Sequence, residues 1–168
     1  MATSRKLDVV LIHPSRRCGV YQALGETLAA IEPPVWAGLI ATFLRLTGHS
    51  VVLLDSEALG LGPQETAQRV QALNPRLSAV VVYGHQPSAS TQNMPAAGEA
   101  CRQIRALNPE IPQILVGGHV ASLPQQTLEE EAVDFTCSAE GPVTLDELLQ
   151  ALAAGSGAKL EKVRGLVY

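Results

Sequence analysis

Three of the four histidines stand where an aliphatic run gives way to polar residues. LDVVLI (7–12) runs into His13, AVVVY (79–83) into Gly84-His85, and ILVGG (114–118) into His119. An imidazole so placed can ligate a metal, move a proton or accept a hydrogen bond, and it can equally be a satisfied structural side chain. A metal centre needs its ligands to converge, which spacing along a chain does not establish. The neighbours of these histidines suit the holding of a ligand. Gln86, Ser88, Ser90 and Thr91 bring an amide and hydroxyls to what reads as a helix start. Free N–H groups there attract phosphates, while plain capping by Ser90 or Thr91 is the structural counterpart. At Gly117-Gly118 no Cβ blocks the approach of a ligand to the backbone, although a tight turn has the same requirement. Glu140-Gly141 follows the last aliphatic run, where the carboxylate can meet a ligand or favour the next helix dipole.

For such residues to meet, the chain must carry them to one edge. Five short apolar runs read as strands: Leu7–Ile12, Val51–Leu54, Ser78–Tyr83, Ile111–Val116 and Val133–Cys137. Helical patterns alternate with them: a helix opened by Pro33-Pro34 and running to Leu46, then Pro63–Leu73, Thr91–Leu107, Leu123–Glu131 and Val143–Ala153. The alternation predicts an α/β fold, a doubly wound five-stranded parallel sheet of flavodoxin-like order with helices on both faces. Ligands of such sheets bind beyond the carboxyl ends of the strands. The loops of interest are therefore 13–32, 84–90, 117–122 and 138–142. His49 follows a helix stop on the opposite edge and is set aside. Residues 1–157 read as one domain, and Lys159–Tyr168 as a lead-out segment that adds no further unit.

The totals narrow the function. At 168 residues and 46% hydrophobic content the chain can bury a full core. A net charge of −4 argues against nucleic acid, and no apolar stretch is long enough to span a bilayer. The N-terminus lacks a signal-peptide pattern, so the expected location is the cytoplasm. Cys18, Cys101 and Cys137 form no CxxC pair, and free thiols are expected. Cys18 follows Arg16 and Arg17, whose charge would stabilise a thiolate. GxGxxG and GxSxG are both absent. No acid pair or triad has a recognisable spacing, so no catalytic residue is assigned and the chain does not read as an enzyme by itself. A phospho-receiver would need acids after the first strand, where His13 stands. A flavodoxin would need a hydroxyl-rich loop in place of HPSRRCG, and aromatic walls from a chain with 4% aromatics.

Taken in order, the stretches IEPPVWAGLIATFLRLTGHSVVLLD (31–55), VVVYGHQPSAST (80–91), GGHVASLP (117–124), VDFTCSAEGPVTLDELL (133–149) and RGLVY (164–168) resemble a known family. It is the cobalamin-binding domain at the N-terminus of cobalamin-dependent radical S-adenosylmethionine enzymes. The resemblance implies a corrinoid across the strand ends, with its nucleotide tail entering the domain. Gly117, Gly118 and His119 would lie along the tail, and Gly84, His85, Gln86 and Ser88 along the tail or corrin edge. Glu140 and Gly141 would flank the other side, while Ser15 and Tyr21 would approach the lower corrin face. Many cobalamin domains carry D-x-H-x-x-G, whose histidine ligates cobalt. Here Leu11 and Arg16 flank His13 at those spacings, so no protein ligand to the metal is expected and the cofactor would be base-off. Ala139 stands where the family more often has Gly. The CxxxCxxC motif of the radical core, which would hold the [4Fe-4S] cluster and S-adenosylmethionine, does not occur in this sequence. The expectation is a module of a methyltransferase-type parent whose core follows in cis or has been truncated. The alternative is a stand-alone binding or sensing module.

Overall fold

The computed structural model describes residues 7–15, 31–84, 87–155 and 159–168. Its strands are β1 (Val9–His13), β2 (Val51–Asp55), β3 (Leu77–Val82), β4 (Gln113–Gly117), β5 (Phe135–Cys137) and β6 (Leu166–Val167). Its helices are α1 (Val35–Leu46), α2 (Pro63–Leu73), α3 (Pro87–Leu107), α4 (Gly118–Ser122), α5 (Pro124–Glu130) and α6 (Pro142–Ala153). The strands form one sheet in the order β2-β1-β3-β4-β5-β6. The first five are parallel, and β6 runs antiparallel to β5.

Side chains alternate across a strand, and the sheet sorts them into two cores. Val9 and Leu11 of β1, with Val81 and Val116, pack against Ala37, Ile40 and Leu44 of α1 and Leu145 and Leu148 of α6. Val10 and Ile12, with Val80, Val82 and Leu115, pack against Val70 of α2 and Ala97, Cys101 and Ile104 of α3. Central strands buried on both faces explain the unbroken aliphatic runs. α1 links β1 to β2 on one face, and α2 links β2 to β3 on the other. The winding therefore reverses between β1 and β3, and a crevice opens at their carboxyl ends.

The class is the one expected, with corrections of detail. The lead-out segment supplies a sixth strand and makes the sheet mixed. It is held there because Ser138 donates its N–H to the Gly165 carbonyl (2.8 Å) and Thr144 donates its hydroxyl to the Arg164 carbonyl (2.7 Å). The Arg164 guanidinium also lies 2.6 Å from the Glu147 carboxylate. Segment 118–122, read as loop, is the short helix α4. α3 begins at Pro87 and not at Thr91, because Pro87 fits a first helical turn.

Thr144 is 2% exposed, so Thr144→Val removes a buried hydrogen bond at nearly constant volume. The expected cost is about 1 kcal/mol. Hydrogen exchange checks it: the Ser138 amide should lose protection while amides of β1 and β3 keep theirs.

Candidate functional site

The alternation that builds the first core continues past its last aliphatic residues. After Leu11 and Val81, the next side chains on the α1 face are His13 and Tyr83; across the β1–β2 register, Asp55 stands opposite His13. His13 is 4% exposed, and its Nδ1 lies 3.1 Å from Asp55 Oδ1. Ala58 donates its N–H to the same oxygen at 3.1 Å, which fixes the carboxylate. The Tyr83 ring stacks on Trp36 with centroids 4.8 Å apart, and its hydroxyl donates to the Glu140 carbonyl at 3.2 Å. Burial, then the ionisable Cys137 and Glu140 nearby, pushes the Tyr83 hydroxyl up to about 12.

These side chains bound a pocket of about 210 Å³ lined by His13, Val81, Tyr83 and Gly84 from the strands and by Pro33, Pro34, Trp36 and Leu39 from the α1 end. At roughly 30 Å³ per liquid water molecule, it has room for several waters or one bicyclic ring. Its walls are mostly apolar, with His13 and the polar edges of the two aromatic rings among their polar groups. Val35, Trp36 and Leu39 are 52%, 42% and 57% exposed, so the apolar surface continues out of the mouth. Concave, mostly apolar walls with few polar groups are the usual make-up of a small-molecule site.

The other predicted residues gather along the same edge. Gly117 ends β4, and a Cβ there would lie 2.2 Å from the Val82 carbonyl oxygen, so its bareness lets β4 pack on β3. At Gly118 the nearest atom to such a Cβ is the Ser90 Cβ at 3.7 Å, an ordinary van der Waals contact that leaves room for a methyl group. Ser90 is buried and does not cap its own helix. Its hydroxyl donates to the Val82 carbonyl and accepts the His119 N–H at 3.0 Å, tying α3, β3 and α4 together. Thr91 Oγ1 lies 3.1 Å from His119 Nδ1. Gly84 packs on Ala89, and Glu140 is exposed. Gly141 has φ +103°, a left-handed angle that favours glycine, and turns the chain into α6. Ser15 is half-buried two residues past β1, and Ser88 falls in the first turn of α3. Tyr21, His85, Gln86 and Cys18 lie outside the described residues. Cys101 and Cys137 are buried free thiols, and burial pushes the Cys101 thiol up. His49 lies 2.7 Å from Asp146 Oδ1, away from the site.

Asp55 and Trp36 were not singled out from sequence. The strand alternation that pairs Asp55 with His13 was available. No spacing rule brings Trp36 onto Tyr83. Among the described residues no group of His, Cys, Asp or Glu side chains stands ready to hold a metal ion, and no helix is long and apolar enough to cross a membrane.

A doubly wound sheet with an apolar pocket at its reversal point is a ligand-binding α/β domain. Residues 21–149 match the B12 binding domain family, and the chain belongs to it. No curated protein matches the chain. The radical S-adenosylmethionine methyltransferase TsrM from Kitasatospora setae, solved with tryptophan substrate and a S-adenosylmethionine analogue, superposes with a TM-score of 0.74 at 19% identity, over 96% of this chain and 28% of that one. The cobalamin-dependent S-adenosylmethionine radical enzyme OxsB, solved with aqua-cobalamin and S-adenosylmethionine, gives 0.64 at 18% identity, over 98% and 21%. The chain thus spans about a quarter of the length of these enzymes, and the likeness is one of fold.

Two measurements check the geometry. Gly117→Ala should cost about 2 kcal/mol in denaturant unfolding because β4 must move off β3, whereas Gly118→Ala should leave stability unchanged. In an alkaline absorbance titration, one of the three tyrosines should ionise late. The unfolded chain gives up the Tyr83 proton near 10 and the folded one near 12, so stability should fall as pH rises through that window. Tyr83→Phe should remove both effects.

Proposed function

We propose that this chain is the cobalamin-binding module of a cytoplasmic radical S-adenosylmethionine enzyme of methyl-transfer type, and that it holds cobalamin base-off with no histidine on the metal. The observation that carries the reading is the apolar pocket at the reversal point between β1 and β3, of a size for one bicyclic base. The residues fit the group. Pro33, Pro34, Leu39 and the Trp36–Tyr83 pair would enclose the nucleotide base, and Gly118, with no side chain of its own, would let the tail pass close to its backbone. Gly84 and Ser88 would border the tail or corrin edge, His119 the tail, and Glu140 and Gly141 the opposite side; the sequence resemblance implies that His85 and Gln86 join the first group and that Ser15 and Tyr21 approach the lower corrin face. Once bound, the cobalt centre would supply the chemistry as a methyl carrier. This chain's own work is to seat the cofactor and keep its lower base away from the metal. His13 supports an unliganded lower face. Asp55 holds its ring, and a side chain only 5% exposed has little freedom to reach out towards a corrin. The radical core, with its [4Fe-4S] cluster and S-adenosylmethionine, belongs to the parent enzyme beyond residues 158–168.

The test is a titration with hydroxocobalamin, followed by removal of free ligand and a visible spectrum. The expected outcome is about one retained cobalamin per chain with a base-off spectrum, unchanged in His13→Ala at saturating ligand. A base-on spectrum, or a shift in the variant, would overturn the ligation state. Failure to retain cobalamin would favour a binding module with another ligand.

A further inference from the structure

His13 does more in the pocket than fill a wall. Its Nδ1 is engaged by Asp55, whose oxygen is itself fixed by the Ala58 N–H. A carboxylate at Nδ1 accepts a hydrogen bond from the ring N–H there, and in the neutral imidazole this leaves Nε2 as a bare acceptor. Nε2 has no hydrogen-bond partner among the described residues, although the side chain is 5% exposed and lines the pocket. The Tyr83 hydroxyl beside it is already spent on the Glu140 carbonyl. An unmet acceptor in an apolar hollow penalises any occupant that brings no donor, and rewards one that does.

We infer that His13, held by Asp55, is a specificity residue that accepts a hydrogen bond from an O–H or N–H group of the corrinoid's nucleotide tail. The inference rests on the corrinoid reading above and deepens it. Two donors share this chemistry: the ribose hydroxyl, present in every such tail, and an exocyclic amine, present on adenine but absent from dimethylbenzimidazole. The histidine thus acts on the tail and not on the metal, and it favours tailed corrinoids over tail-less ones.

The test uses three ligands on one preparation: cobalamin, its adenine-based analogue, and cobinamide, which lacks the tail. His13→Asn keeps an amide nitrogen where Nδ1 lies, and so the contact to Asp55, but places nothing at Nε2. His13→Gln reaches the Nε2 position. Wild type should bind cobalamin more tightly than cobinamide. His13→Asn should lose about fivefold in affinity for cobalamin and nothing for cobinamide, with His13→Gln recovering part of the loss. Equal losses with both tailed ligands assign the donor to the ribose, and a larger loss with the adenine analogue adds its amine. Because the ligands are compared on the same sample, any unfolded fraction lowers all three alike and cancels. An equal loss for all three ligands, or no loss for either tailed one, overturns the inference while the corrinoid reading stands. A wild-type chain that binds none of them removes both.

Discussion

The parallel pairing of β1 with β2 on one side and β3 on the other governs the ligand edge. With β1 flanked in this way, the connection through α1 and the connection through α2 lie on opposite faces of the sheet. The crevice between them is a product of winding, and no local motif creates it. The same pairing fixes the register. His13 stands opposite Asp55, and the first core face, ending in Leu11 and Val81, passes directly into His13 and Tyr83. A slip of one residue in β1 would turn His13 to the other face and bring aliphatic side chains out of their core. The hydrophobic pattern that stabilises the sheet therefore also aims the polar residues.

The fold was legible where side-chain period was strong. The runs in β1 and β3 are aliphatic without a break, and α2 was read with its observed limits because Pro63 and a clear apolar stripe bound it. Three features were less legible, each for a physical reason. β6 is two residues long and owes its place to side chains of α6 and to the turn after β5, contacts that no local pattern announces. α4 is five residues long and starts with glycine, against helix propensity; the Ser90 hydroxyl at its His119 N–H supports it from across the domain. The start of α3 was misplaced because Ser90 and Thr91 have the chemistry of caps, while the Ser90 hydroxyl is used on the β3 carbonyl end.

The candidate site divided in a similar way. The strand-end rule found the edge, and it found His13, His119 and the glycines. It did not separate Gly117, whose bareness serves strand packing, from Gly118, where a Cβ would meet Ser90 only at ordinary contact distance. Nor did it find the pocket, because the walls come from an aromatic contact between residues 36 and 83 and from a proline pair read only as a helix opener. Long-range packing made those choices, and periodicity carries no record of it.

The antiparallel β6 has a consequence for association. An open sheet exposes two rows of unpaired backbone groups, each a template for another chain. On the β2 side the Arg45 guanidinium covers the Val51 carbonyl at 3.0 Å. On the other side β6 lies against β5, presenting only two strand residues of its own before Tyr168. Shortening the C-terminus by a handful of residues would uncover Thr136 and Cys137 of a parallel strand. The C-terminal strand thus covers the β5 edge, leaving a far shorter row of backbone groups there for another chain to pair with.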